Sequence, residues 1–386
     1  MRNKRLIFAM CYISYTLTYV ARLNLTMAAS PLKKEGMLSS AQIGVLGSVF
    51  FAVYPVGRLI NGALSEHFPA RNMIAGGLLL GALANIFFGF LPPFTALTVL
   101  WGVNAYAQSM LWSSVLKTVG AVYGESNAQR MSAYMVTSVA SGNIAGIIIA
   151  MLLIRSFGVS AAFILPGVLL VISATAAFFI IGNPDKFNVC ASSGVRTLKN
   201  KNVRFMLIPA VFHGVIKDNI SLWMAVYVAD EFGINIEKFA FYLLLIPIAG
   251  LAGRFLYPPL YKLLQYNENF VSLVGFSLCA FLSLLLIFAA ITPFAAIIYL
   301  SGIYISVSLI NTSVLSVFPM QFYSNGMSGT ISGLMDFSTY LGAGIGSVIY
   351  GGMIGTFGYK SMFISWLCIS VISVLTLMYY KYKITN

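Results

Sequence analysis

The chain has 386 residues, 59% hydrophobic and only 9% charged, with a formal net charge of +13. Soluble domains are about 45–50% apolar and about 25% charged, so a water-facing globule is excluded and lipid must solvate much of the surface. The positive balance does not point to nucleic acid, because the basic residues are dispersed between long apolar runs.

Crossing about 30 Å of hydrocarbon takes roughly 20 apolar residues in a helix. Runs of this kind recur along the whole chain. They are continuous and not alternating, which selects helices over a transmembrane barrel. In chain order the expected spans lie near 7–30, 41–65, 72–92, 96–120, 131–155 and 160–182, then near 204–228, 239–263, 270–292, 294–319, 327–356 and 360–380. The fold class expected is an all-α membrane protein of twelve transmembrane helices. The first run is too long for a secretory signal and contains Arg22, so it reads as a span. The connections leave no room for a soluble catalytic domain; no enzyme activity and no catalytic residue is expected.

The one substantial polar linker, 183–203, begins Asn183-Pro184-Asp185-Lys186 and carries Arg196, Lys199 and Lys201. It divides the chain into an N-terminal six-helix bundle, 1–182, and a C-terminal six-helix bundle, 204–386. A short internal repeat supports the division. Gly57-Arg58-Leu59 in the second span answers to Gly253-Arg254-Phe255 in the eighth, and Arg22 in the first to Lys217 in the seventh, at nearly the same offset.

On this map most cations fall on one side of the membrane, among them Arg2, Lys4, Arg5, Arg71, Lys117, Arg130, Lys199, Lys201, Arg204, Lys381 and Lys383. The positive-inside bias then places both termini in the cytoplasm, and the expected location is the cell inner membrane. Arg22, Arg58, Lys217 and Arg254 remain inside spans, where topology does not account for them. Asp218 and Asp336 are the acids that also lie in spans. Charge at the bilayer centre costs about 2.5–3.5 kcal/mol on insertion scales and faces a partner or a wet path. The two acids do not balance four cations, so the missing partner expected is a small anionic solute.

Helical spacing gathers polar residues on faces. Tyr12, Tyr15, Tyr19, Arg22 and Thr26 share one in the first span, Tyr54, Arg58 and Asn61 one in the second, and Asn104, Gln108 and Trp112 one in the fourth. His213, Lys217 and Ser221 share a face of the seventh span, Tyr304, Ser308 and Asn311 of the tenth, and Ser328, Ser332, Asp336 and Tyr340 of the eleventh. Such stripes suit an aqueous path. Each has a structural alternative. Arg22 and Lys217 could be held in ion pairs, Lys217 with Asp336 in preference to its neighbour Asp218. Arg58 lies nearer one end of its span, Arg254 could snorkel to the surface, His213 could be a packed, hydrogen-bonded histidine, and the tyrosines could be packing residues.

The loop after the second span reads Gly62-Ala63-Leu64-Ser65-Glu66-His67-Phe68-Pro69-Ala70-Arg71. Its glycine, acid four residues on and closing arginine resemble the cytoplasmic loop motif of the major facilitator superfamily, with Glu66 for the usual Asp and with Ala70 and His67 at basic positions. The resemblance implies a gate where Glu66 meets a helix N-terminus or a cation; the alternative is a charged loop that sets topology alone. Gly342, Gly344 and Gly346 lie inside an apolar helix and read as small residues for close packing. Cys11, Cys190, Cys279 and Cys368 are scattered, without metal-ligand spacing, and no phosphate-loop motif is present. No metal and no cofactor is expected, and a monomer is the expected state.

The stripes resemble those of the organophosphate:phosphate antiporter family, the glycerol-3-phosphate and hexose-6-phosphate transporters of the major facilitator superfamily. The resemblance runs in order through Tyr15, Tyr19, Arg22 and Asn24; Tyr54, Gly57-Arg58 and Gly62; Gln108, Trp112 and Lys117; Lys217 through Trp223 to Tyr227; and Gly329-Thr330 with Tyr340-Leu341-Gly342. It implies exchange of a phosphorylated organic anion for inorganic phosphate by rocking of two halves. Arg22 and Lys217 would occupy the paired phosphate positions and Arg58 a further basic position. The fifth-span signature is incomplete: Thr137 stands at a tryptophan position and Ser141 or Gly142 at a histidine position. Lysine at 217 also lacks the bidentate fork of arginine. Two rival readings stay open, a proton-coupled carboxylate or sugar-acid importer using Asp218 or Asp336, and a membrane sensor of sugar phosphate.

Overall fold

The computed structural model describes residues 4–182, 199–233, 245–290 and 292–385. The linker segment 183–198 and the start of the eighth expected span, 239–244, lie outside the described residues. The regular structure among the described residues is helical. The helices are α1 (Lys4–Lys34), α2 (Ser40–His67), α3 (Ala70–Gly89), α4 (Phe94–Ser109), α5 (Leu111–Tyr123), α6 (Glu125–Met135), α7 (Thr137–Phe157) and α8 (Ala161–Ile181). They continue as α9 (Lys201–Phe232), α10 (Leu245–Leu263), α11 (Glu268–Phe288), α12 (Pro293–Thr312), α13 (Ser328–Phe357) and α14 (Tyr359–Thr385).

Local chemistry explains the boundaries. Ser39 and Gln42 form a reciprocal capping box at the start of α2, with Gln42 N donating to Ser39 Oγ at 3.2 Å and Ser39 N to Gln42 Oε1 at 2.8 Å. Pro69 stops α2, whose cap residue Phe68 is extended. Asn267 caps α11 and Thr292 caps α12, where Pro293 fills the first turn. Gly158 takes a positive φ of 83° to turn α7 into α8.

Among the described residues, nine helical stretches are long and apolar enough to cross a membrane. The other three expected spans fall on α4 with α5, on α10 and on α13. The fourth span is interrupted at Met110 and the fifth at Val136. The eleventh, α13, is diluted by glycine and serine. The tenth span ends in a π turn, Ser313–Val317, and a 3-10 turn, Phe318–Phe322.

The chain forms two compact units: Met1–Gly194 with Pro319–Leu334, and Val195–Phe318 with Met335–Asn386. In the first, α3 packs on α8, α1 on α7 and α8, and α2 on α4. Its core gathers Cys11, Tyr15, Leu78, Trp112, Val115 and Leu170. In the second, α11 packs on α14 and α10 on α12. Span three against span six, and two against four, thus recur as nine against twelve and eight against ten.

Candidate functional site

In the first unit, α1 turns Tyr12, Tyr15, Tyr19 and Arg22 along one side, as their spacing predicts. The Arg22 guanidinium lies over three aromatic rings, with its carbon 4.4 Å from the Phe50 centroid, 4.8 Å from Tyr54 and 5.5 Å from Tyr19. Tyr19 sits one turn before Arg22, while Phe50 and Tyr54 are one turn apart on α2 and stack at 5.5 Å with 14° between their planes. Cation–π contact is strongest where water is thin, and Tyr54 and Phe50 are both nearly buried. Tyr15 packs on Trp112 at 4.6 Å and on Tyr19 at 5.6 Å. Tyr12 shares hydrogen bonds with Ser141 at 2.7 Å and Thr137 at 3.2 Å, so hydroxyls occupy the departures from the family signature in the fifth span.

Arg58 is 1% exposed. Its Nη1 donates to Ser113 Oγ at 3.3 Å and its Nη2 to Ser332 Oγ at 3.2 Å, at the start of α13. The same seam receives Glu66. Its Oε1 accepts from the backbone N–H of Gly329 and from that of Thr330 at 3.2 Å. These are first-turn donors that a helix leaves without internal partners, and the carboxylate also meets the positive end of the helix dipole. The seam is glycine-lined: a Cβ on Gly62 would sit 2.7 Å from the Gly329 carbonyl oxygen and 3.0 Å from Gly333 Cα. Lys117 closes the other side, donating to the carbonyls of Ser65 at 2.9 Å and Phe68 at 3.2 Å where α2 ends. Arg71 instead lies over the Phe178 ring at 4.8 Å.

Gln108 belongs to a buried amide chain that the spacing of polar residues did not reveal. Asn24 donates to Asn85 Oδ1 at 2.7 Å, Asn85 to Asn104 Oδ1 at 3.1 Å, and Gln108 to the same Asn104 oxygen at 3.1 Å. Backbone oxygens of Ala162, Gly81 and Ala21 complete it. It ties α1, α3, α4 and α8, and Gln108 Oε1 is its buried end without a hydrogen-bond partner. The sequence signal was present in α3, where Asn85 is the one amide after Asn72 of the first turn, in a long run of small and apolar residues.

In the second unit, Lys217 Nζ lies 3.5 Å from Asp218 Oδ1 and 5.2 Å from the Tyr340 ring centroid. This corrects the expectation that Lys217 would pair with Asp336 in preference to its neighbour Asp218. The long lysine stem folds back to the adjacent carboxylate, and Asp336 is a weaker electrostatic neighbour. His213 is fully buried one turn earlier, with the Val307 backbone beside its ring. Close packing brings these helices together: a Cβ on Gly342 would strike the Val211 carbonyl, and one on Gly346 would meet Asn219 Nδ2 at 2.7 Å. No metal-ligating cluster is present among the described residues.

The comparisons with known proteins agree with this architecture. The family model described as Major Facilitator Superfamily matches residues 11–347. A probable hexose phosphate transport protein of Chlamydia trachomatis is 22% identical, across 96% of this chain and 89% of its own length. The membrane sensor protein UhpC of Escherichia coli is 32% identical, but over only 29% of this chain and 25% of its own. The solved structure of the Escherichia coli fucose:proton symporter superposes with a TM-score of 0.77 at 16% identity, covering 99% of each chain; it bears on the fold alone. With long apolar helices in two compact units among the described residues and a family match over most of its length, this chain is a multi-pass membrane transporter and belongs to the major facilitator superfamily.

Proposed function

We propose that the protein exchanges a phosphorylated organic anion, of the hexose phosphate or glycerol phosphate class, for inorganic phosphate by alternating access. The observation that carries the reading is an arginine inside a membrane helix, Arg22, whose guanidinium rests on three aromatic rings. Arginine suits phosphate because its donors form a planar fork, and the relatives' names point to the same class of solute. Lys217 supplies a second cation, and Tyr15, Tyr19, Gln108, Trp112, His213, Asp336 and Tyr340 line the path. The two six-helix halves, 1–182 and 204–386, alternate with both termini in the cytoplasm of a cell whose inner membrane holds the protein. Arg58 and Tyr54 belong with the binding residues, and Gly62, Glu66 and Arg71 with the gate, where the Glu66 cap on α13 stabilises one of the alternating states.

The reading is tested in proteoliposomes loaded with phosphate and offered labelled phosphate outside, with glycerol phosphate and hexose phosphates as competitors. Saturable exchange that Arg22→Ala abolishes is expected. Folded protein that exchanges nothing, yet binds sugar phosphate, would favour the sensor reading that the partial match to the Escherichia coli sensor suggests. Accumulation driven by a pH gradient would favour proton coupling.

A further inference from the structure

We propose that Phe50 is a positioning residue for Arg22, turning the edge of its guanidinium toward an oxyanion. The inference rests on the reading of Arg22 as a phosphate ligand and deepens it. Of the three rings around the guanidinium, Phe50 is the nearest, at 4.4 Å. Tyr19 and Tyr54 carry hydroxyls that could bind solute themselves. Phe50 has no polar atom, so it acts on an anion through the groups it touches, of which Arg22 carries the charge.

The ring is held firmly. Phe50 stacks on Tyr54 and meets Trp101 of α4 at 6.0 Å. Trp101 meets Phe88 of α3 at 5.4 Å and Phe163 of α8 at 6.4 Å, and those two stack on each other at 4.4 Å. Phe50, Tyr54, Trp101, Phe88 and Phe163 are all 5% exposed or less. An unbroken run of rings thus anchors the seat in the core of the first unit. The neighbouring Phe51 meets the Phe50 ring edge-on at 6.4 Å and is 61% exposed.

A guanidinium is planar, with its five N–H donors in the plane and weakly hydrated faces above and below. A ring against one face fixes the orientation of the plane, so that a phosphate meets the guanidinium along its edge. It also lowers the cost of ordering a long side chain when the anion arrives. An aliphatic residue of similar size fills the same space without a π face, so shape and electrostatics can be separated.

The test uses the full chain in lipid nanodiscs, with inorganic phosphate as the probe and Kd as the readout. Replacing Phe50 with mono-, di- and trifluorinated phenylalanine keeps its shape and drains the ring face. Kd is expected to rise stepwise along the series, and Phe50→Leu to weaken binding about tenfold, the factor that ~1.4 kcal/mol of cation–π attraction represents. Phe51→Leu should bind as wild type. A second readout needs no solute: the rate at which phenylglyoxal labels Arg22, resolved by peptide mass, should rise several-fold in Phe50→Leu. A flat fluorination series together with unchanged labelling would overturn the seat. Wild-type protein that binds no phosphate, while labelling still responds to Phe50→Leu, would sink the phosphate reading and leave the seat supported.

Discussion

At the scale of single residues, the proposed chemistry rests on cations that a bilayer would otherwise reject. Arg22 and Lys217 differ in how they are held. Arg22 rests on ring faces, whereas Lys217 is drawn to a carboxylate at 3.5 Å and a ring at 5.2 Å. Arg22→Lys keeps the charge and loses the fork, so phosphate exchange should fall about tenfold to a hundredfold in kcat/KM, the weight of one charge-assisted hydrogen bond; an exchange assay with wild-type values would contradict this. Asp218→Asn leaves Lys217 charged and removes its partner. Both side chains are partly exposed, at 19% and 33%, so the change should alter kcat/KM by less than tenfold, whereas Lys217→Ala should abolish exchange. The cations themselves were legible in the sequence because they interrupt apolar runs. Phe50 was not, since a phenylalanine in a membrane helix carries no mark of its own. Its position one turn before Tyr54, on the face that holds Arg58, was the available sign.

At the scale of elements, backbone approach and buried amides set the geometry. The first turn of α13 packs on α2 with glycine on both sides, and Glu66 caps it. Gly62→Ala would place a methyl against the Gly329 carbonyl and should destabilise the seam by about 1–3 kcal/mol, read as a lower melting temperature with altered exchange kinetics. Glu66→Ala removes the acceptor for two backbone donors and should shift the same balance by about 1–2 kcal/mol. Loss of melting temperature in neither variant would argue that the seam bears no load. The amide chain makes a separate prediction. Asn85→Ala breaks contacts to Asn24 and Asn104 and should cost about 0.6–1.7 kcal/mol per interhelical bond lost, measured by steric-trapping unfolding in bicelles. The motif Gly62, Glu66 and Arg71 was visible as a loop pattern. Its partners Gly329 and Thr330 are more than 250 positions away, and chain spacing says nothing about a contact of that separation.

At the scale of the whole molecule, the proposed excess of positive charge along the path would give a reason for exchange. Cations in a low dielectric repel one another, so a carrier whose charge is neutralised by an anion should reorient faster than an empty one. Net phosphate efflux without an external counter-anion is therefore expected to be slower than exchange by about tenfold or more, and efflux as fast as exchange would sink the antiport reading.

The sequence by itself determined that the chain spans a membrane, that its structure is helical, and roughly where each span lies, because lipid forces every backbone polar group into local hydrogen bonds. It also exposed Arg22, Arg58, Lys217 and Arg254, because charge in an apolar run is costly. Only the tertiary structure decided what those charges meet. It placed Arg58 between Ser113 and Ser332, Arg22 on Phe50, Tyr54 and Tyr19, and Lys217 beside Asp218. It also gathered Asn24, Asn85, Asn104 and Gln108 into one chain of amides. The spacing of residues on one helix fixes which side chains share a face, and the identity of the facing helix is set by packing between elements far apart in the chain.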